Sequence, residues 1–344
     1  MTNQRIGRAG HGRAGPSMPR RLGFVTAALL FALAGGIVPA RAAGPAQLTI
    51  VVFTMPSLGG FLPKVIKQRR LDAANGLDID FAERTPDAYT AQFNSGEFAL
   101  GGSAALLTVG LADARGIGVS YLFNLFDYWG AVVTQRPGIT TLADLKGKEL
   151  AAAKGTTNYV MFEWFARAQG LDPALLRVIN TATPGLIGYA LADRADAVQL
   201  WEPAYALLLA RRPGIRTLDL GIARLWRAFA GTDHIPYLGV AAHQDWIAAH
   251  RPLIAPLYHT YRAAAEWVAA HPQEAAPLIA GSAAGPADRT ALAQLISDKN
   301  RLGMNVAPAA RLAPDIDAVY RAGLELGFLP KMPAPATIFP EPIE

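Results

Sequence analysis

Between Gln47 and Phe126, short β-branched apolar runs alternate with segments of helical periodicity, and each switch falls on a Gly, Pro or hydroxyl residue. QLTIVVF, residues 47–53, is the pattern of a strand buried on both faces. TMPSLGG follows as a loop, and Leu62, Val65 and Ile66 set the apolar face of a helix that Asn75-Gly76 stops. Leu77 to Phe81 reads as a second strand, and Thr85-Pro86-Asp87 opens a helix that ends near Gly96. Phe98 to Leu100 reads as a short strand, Gly101-Gly102-Ser103 as the start of a helix over Ala104 to Ala114, and Ile117 to Phe126 as a fourth strand. Such alternation restricts the chain to an α/β architecture with a mostly parallel sheet, whose ligands gather where strand ends meet helix starts.

A second set of the same kind runs from Ala131 to about Leu220. Its expected strands are Ala131–Thr134, Glu149–Ala153, Arg177–Ile179, Ala197–Leu200 and Ile215–Leu218, with helices near residues 158–169, 184–192 and 203–211. The string NLFDYWG, residues 124–130, breaks the first pattern, and Tyr237 to Ala242 reads as a strand returning to the first set. From Trp246 onward the chain reads as Ala-rich helix punctuated by prolines. This gives lobe 1 from residues 43–127 and 233–344, and lobe 2 from residues 128–232. No internal repeat is present.

Residues 1–42 read as an export signal. Arg20-Arg21 precede an apolar run from Leu22 to Val38, and Ala40-Arg41-Ala42 supplies a small-residue cleavage pattern near Ala42. MPRRLGFVT from Met18 is by itself a normal leader start, and the arginine pair leaves the general and twin-arginine export routes both open. The formal charge of +5 is a property of this leader, which holds six Arg and no acidic residue. The remainder carries 26 basic and 27 acidic residues, so it has no basic footprint for nucleic acid. The chain has no cysteine, which excludes disulfides, thiolate metal sites, a thiol nucleophile and a lipidated N-terminal cysteine. The six histidines are scattered without metal-ligand spacing, and no GxSxG elbow or dinucleotide fingerprint occurs. No catalytic residue, metal or cofactor is therefore expected.

Four small-hydroxyl or Gly loops fall at expected helix starts: Pro56-Ser57-Leu58-Gly59, Gly101-Gly102-Ser103, Gly155-Thr156-Thr157 with Asn158 behind it, and Thr181-Ala182-Thr183-Pro184. Two come from each lobe. Free N–H groups at helix starts attract an anion or a polar ligand head, although each loop taken singly is equally an ordinary helix cap. Asn124, at the first expected crossover, and His234, placed to reach the cleft from the second, are further candidate ligand contacts, and the aromatics Tyr121, Phe123, Phe126, Tyr128 and Trp129 lie in or next to the first. The aromatics form either a ligand wall or packing beneath the hinge.

Two strings carry a family resemblance. TLADLKGKELAAAKGTT, residues 141–157, is a helical turn, a Lys-Gly reversal, a strand and a Gly-hydroxyl helix start. ADAVQLWEP, residues 195–203, runs along a strand into Trp201, Glu202 and Pro203. Both resemble the periplasmic substrate-binding proteins of ABC transporters, in the SsuA/TauA/NMT1-THI5-like branch that takes sulfonates, taurine, nitrate and thiamine precursors, over about residues 47–330. The resemblance implies a type II periplasmic-binding-protein fold, two α/β lobes joined by a hinge with a ligand cleft between them. It implies a monomer that delivers a small solute to an inner-membrane permease and its ATPase, and a cleft reached by Trp201 and Glu202. Glu202 is also placed to cap the following helix. The sequence departs from the family's pattern at Phe98-Ala99, where an Asp usually follows the Gly-Glu step. A sensor-partner role stays open, and so does an enzyme related to thiamine-pyrimidine synthases, which carry a Cys-rich motif this chain lacks.

Overall fold

The computed structural model describes residues 44–343; the expected leader lies outside the described residues. Strands β1 (Ala46–Phe53), β2 (Leu77–Arg84), β3 (Leu100–Ala105) and β4 (Val119–Asp127) come from the first alternating set. β5 (Ala131–Thr134), β6 (Glu149–Ala152), β7 (Arg177–Asn180), β8 (Ala197–Leu200) and β9 (Arg216–Leu218) come from the second, followed by β10 (Pro236–His243) and β11 (Met304–Pro308). They form two sheets, with orders β11-β4-β10-β3-β1-β2 and β7-β6-β8-β5-β9. The result is a mixed α/β molecule of two lobes, each a sheet covered by helices.

Both sheets are mixed rather than mostly parallel. β1 runs parallel to β2 and β3, and β6 runs parallel to β7 and β8. β10 is antiparallel to β3 and β4, β11 to β4, and β5 to β8 and β9. For β5 and β10 the physical reason lies in the crossovers: a strand that enters a sheet from the other lobe has no covering helix in its own lobe before it, so its direction is not fixed by a right-handed crossover. β1 is buried on both faces from Ile50 to Phe53, with Ile50, Val51 and Val52 fully enclosed, while Gln47 and Thr49 nearer its start are exposed.

Three elements differ from the sequence expectation. Residues 101–105 belong to strand β3, and the helix begins only at Leu106. The small residues there serve close packing: a Cβ on Gly101 would sit 2.2 Å from the Tyr89 hydroxyl, and one on Gly102 2.6 Å from the Tyr261 hydroxyl. A helix over Ile222–Ala230 follows β9, anchored by the fully buried Trp226. β11 interrupts the C-terminal helices and completes the edge of the first sheet beside β4.

The chain crosses from one sheet to the other after Asp127 and returns before Pro236, and the two crossovers lie side by side. Tyr128 N–H donates to Ile235 C=O at 2.7 Å, and Asp127 N–H donates to Gly303 C=O at 2.7 Å. The expected aromatic wall is core packing at this hinge. Tyr121, Phe123 and Phe126 are fully buried, Tyr128 stacks on Phe165 at 5.8 Å, and Trp129 lies 5.1 Å from Tyr205. Among the described residues no helix is long and apolar enough to cross a membrane.

Candidate functional site

Strand ends from both sheets point at one cavity of about 80 Å³. From the first lobe, Phe53 ends β1 and leads into Met55, Pro56 and Ser57, while Thr85, Pro86 and Asp87 follow β2. From the second, Gly155 to Asn158 follow β6, Thr183-Pro184 follow β7, and Trp201 follows β8. Tyr237 on β10 closes the wall, with Thr90, Ala105 and Thr108 beside it.

Four helix starts converge here. Ser57 caps a short 3-10 turn by accepting from Gly59 N–H at 3.3 Å. Thr85 precedes the helix Pro86–Asn94, whose first residue is the Pro that best tolerates that position. Thr156 caps Thr157–Ala168 by accepting from Tyr159 N–H at 3.2 Å, and its own hydroxyl donates to Ala153 C=O at 2.8 Å. Thr183 and Pro184 open the helix Thr183–Leu191. The helix starts turn backbone N–H donors toward the cavity, so it is polar without any cationic side chain. Asp87 is the one formally charged residue among those lining it.

The deepest polar groups bridge the lobes. Asn158 Nδ2 of the second lobe donates to the Tyr237 hydroxyl of the first at 2.5 Å. Burial pushes the Tyr237 phenol well above its ordinary range, so it stays protonated and keeps a proton to donate. Thr157 and Asn158 are almost fully enclosed, yet Thr157 Oγ1 and Asn158 Oδ1 have no hydrogen-bond partner among the described residues. Buried polar atoms are normally paired, so these two mark a place for a ligand group or a water. The arrangement suits capture of a polar head by neutral donors and acceptors, with Phe53 and Trp201 offering apolar faces.

Of the sequence-selected residues, Ser57, Thr156, Thr157, Asn158, Thr183 and Trp201 line this cavity. The other six do not, each for an identifiable reason. Leu58 is core, and Gly102 lies inside β3 against Tyr261. Ser103 is buried behind the β1 end, where its Oγ accepts from Phe53 N–H at 2.9 Å. Asn124 is consumed by the hinge: its Oδ1 accepts from the Tyr121 hydroxyl at 2.8 Å, and its Nδ2 donates to Asn305 C=O at 2.9 Å.

Glu202 is fully buried, accepting from Ala206 N–H at 3.0 Å and from Arg301 Nε at 3.0 Å. It therefore acts as a helix cap and an ion-pair partner, the reading its position before Pro203 also allowed. Burial pushes its carboxyl up from the ordinary value, and the Arg301 guanidinium opposes that shift. His234 pairs with Asp127 at 2.9 Å in the hinge, with Asn305 Nδ2 3.1 Å from the same carboxylate oxygen.

Sequence reasoning did not select Phe53, Thr90, Thr108, Tyr237 or the Thr85-Pro86-Asp87 start as site residues. The last carried the same helix-start signal as the selected loops; Phe53 and Tyr237 line the cavity from strands, and Thr90 and Thr108 from the helices Pro86–Asn94 and Leu106–Ala114.

A two-lobed mixed α/β molecule with a polar cavity between the sheets has the periplasmic-binding-protein fold, and comparison with known structures agrees. The aliphatic sulphonate binding protein SsuA from Escherichia coli superposes with a TM-score of 0.66 at 19% identity, over 84% of this chain and 95% of that one. The alkanesulfonate-binding protein SsuA from Xanthomonas axonopodis pv. citri, bound to MOPS, gives 0.69 at 21% identity, over 86% and 99%. The NMT1/THI5-like family model matches residues 73–275, and the chain belongs to that family. No curated protein sequence matches it.

Proposed function

We propose that this protein is the periplasmic solute-binding component of an ABC importer. It would capture a small anion or heteroaromatic solute of the sulfonate, taurine, nitrate or pyrimidine-like class and present it to a membrane permease driven by an ATPase. The observation that carries the reading is the convergence of four helix starts from two sheets on one cavity, two of whose lining residues, Thr157 and Asn158, hold buried oxygens with no hydrogen-bond partner among the described residues. Membership of the NMT1/THI5-like family and the fold shared with two sulfonate-binding proteins support it.

In this reading Ser57, Thr156, Thr157, Asn158, Thr183 and Trp201 contact the solute, joined by Tyr237 and Asp87. Lobe 1 comprises residues 43–127 and 233–344, lobe 2 residues 128–232, and the protein works as a monomer that closes on its solute about the paired crossovers. Export through the leader places it in the periplasm. The protein binds without transforming its solute.

A thermal-shift screen of the purified protein against sulfonates, taurine, nitrate, pyrimidines and aromatic acids tests this. A solute that binds only the folded state, at a hundredfold excess over its Kd, stabilises by about 2.7 kcal/mol, a readable rise in Tm. Such a rise is expected in one chemical class. Folded protein with no response to any class would contradict it.

A further inference from the structure

One carboxylate, that of Asp127, collects three stretches of chain at the boundary between the sheets. From the first crossover, Asn124 Nδ2 donates to its Oδ1 at 3.1 Å. From the second, His234 Nδ1 stands 2.9 Å from its Oδ2. From the start of β11, Asn305 Nδ2 reaches both oxygens, at 3.2 and 3.1 Å. That third stretch is also tied to the second lobe, because Arg301, just ahead of it, pairs with the buried Glu202 that follows β8. Of these three partners only His234 changes charge near neutral pH. Its side chain is 55% exposed and that of Asp127 is 14% exposed, so solvent protons reach the ring while the carboxylate stays inside the hinge.

We propose that the His234–Asp127 pair is a proton-operated brake on lobe opening: the charged ring binds the second crossover to the first and to β11, and loss of its proton lets that crossover move. The inference rests on the solute-binding reading above, in which the lobes close about these crossovers, and adds a control to it. The charged groups that face the ring agree in sign. Asp127, Asp315 from the helix Ala313–Glu325 and Asp233 on the same crossover all favour the protonated form, with Asp233 shared by Arg227. They keep the ring charged to a pH above its ordinary 6.5, with partial burial working against them. A neutral ring loses the attraction between two full charges. It also has a second partner, because Asn305 Nδ2 lies 3.2 Å from His234 Nδ1 and can donate to it once the ring carries its proton on Nε2. That exchange releases His234 from the carboxylate and turns an Asn305 N–H away from it, so each charge state has its own arrangement.

The chain has no native cysteine, so dyes can be placed on each lobe at will. Single-molecule energy transfer between pH-insensitive dyes at Ala91→Cys, exposed on the helix Pro86–Asn94, and Ala192→Cys, exposed behind the helix Thr183–Leu191, reads the spacing of the lobes. The measurement needs no solute and compares about pH 6 with about pH 9. Wild type should show a narrow distribution at the lower pH and a broader one, shifted to longer distance, at the higher. His234→Gln should show the high-pH distribution at both values. His234→Lys, which keeps a cation beside Asp127, should show the low-pH distribution at both. The side chain is half exposed, so both variants should fold, which circular dichroism checks. A broad distribution at both pH values, or a pH shift that both variants retain, would overturn the brake and leave closure about the crossovers standing. A single narrow distance, unmoved by pH or by either variant, would mean that the lobes do not open there, and the brake and the closing motion would fall together.

Discussion

Thr157 shows how a residue can be poor for stability and right for binding. Its hydroxyl is enclosed with no partner among the described residues, and an unpaired buried polar group costs folding free energy. Thr157→Val keeps the shape and removes the hydroxyl. The variant should be as stable as wild type, or up to about 1 kcal/mol more stable, by urea denaturation, while solute affinity falls about two- to tenfold. Equal losses of stability and affinity would mean that the hydroxyl has only a structural role.

Glu202 shows the opposite case. Arg301→Met leaves a fully buried carboxylate without its guanidinium, and the variant should lose roughly 3 kcal/mol on urea denaturation. At this scale the sequence reveals caps but not long-range partners. Thr156 and Ser57 bond two or three residues ahead, a spacing visible in a string. Glu202 meets Arg301 99 positions away and His234 meets Asp127 107 away, so neither role is legible before the fold exists.

Among elements, the paired crossovers concentrate the titratable chemistry. The hydrogen bond that the His234 ring donates to the Asp127 carboxylate raises the His234 pKa above its ordinary 6.5; Asp315 and Asp233 add to the rise, and partial burial opposes it. Burial also raises Asp127, an effect that belongs to a lower pH window, upward from its ordinary 3.8. A histidine whose folded value exceeds its unfolded one contributes stability that is complete below pH 6.5 and disappears as pH climbs through the raised value. Unfolding free energy measured above about pH 6.5 should therefore decline with pH, and His234→Gln should remove that component of the slope.

The elements themselves were largely legible, because β-branched runs and Thr-Pro or Gly-Thr starts mark their own ends. Two failures are instructive. β3 carries Gly101, Gly102 and Ser103, which look like a turn in a string, but the two glycines are small because Tyr89 and Tyr261 press on them, and Ser103 accepts from Phe53 N–H. β11 holds only MNVAP and is made a strand by β4 beside it rather than by its own propensity.

For the whole molecule, the alternation of strands and helices specified an α/β chain in two sets, and two strings pointed to the family. What escaped was sheet direction, since β5 and β10 are antiparallel only because the chain changes lobes at those points. The central claim is that a solute sits where the two lobes face each other. The absence of native cysteine makes a direct probe simple. Thr183→Cys, carrying an environment-sensitive fluorophore in the cavity wall, should respond saturably to the solute found in the screen, at one solute per chain. The same label at Leu175→Cys, exposed at the far end of β7, should stay silent. A solute that raises the Tm of the labelled protein while the Thr183 probe does not respond would place binding elsewhere and contradict the account.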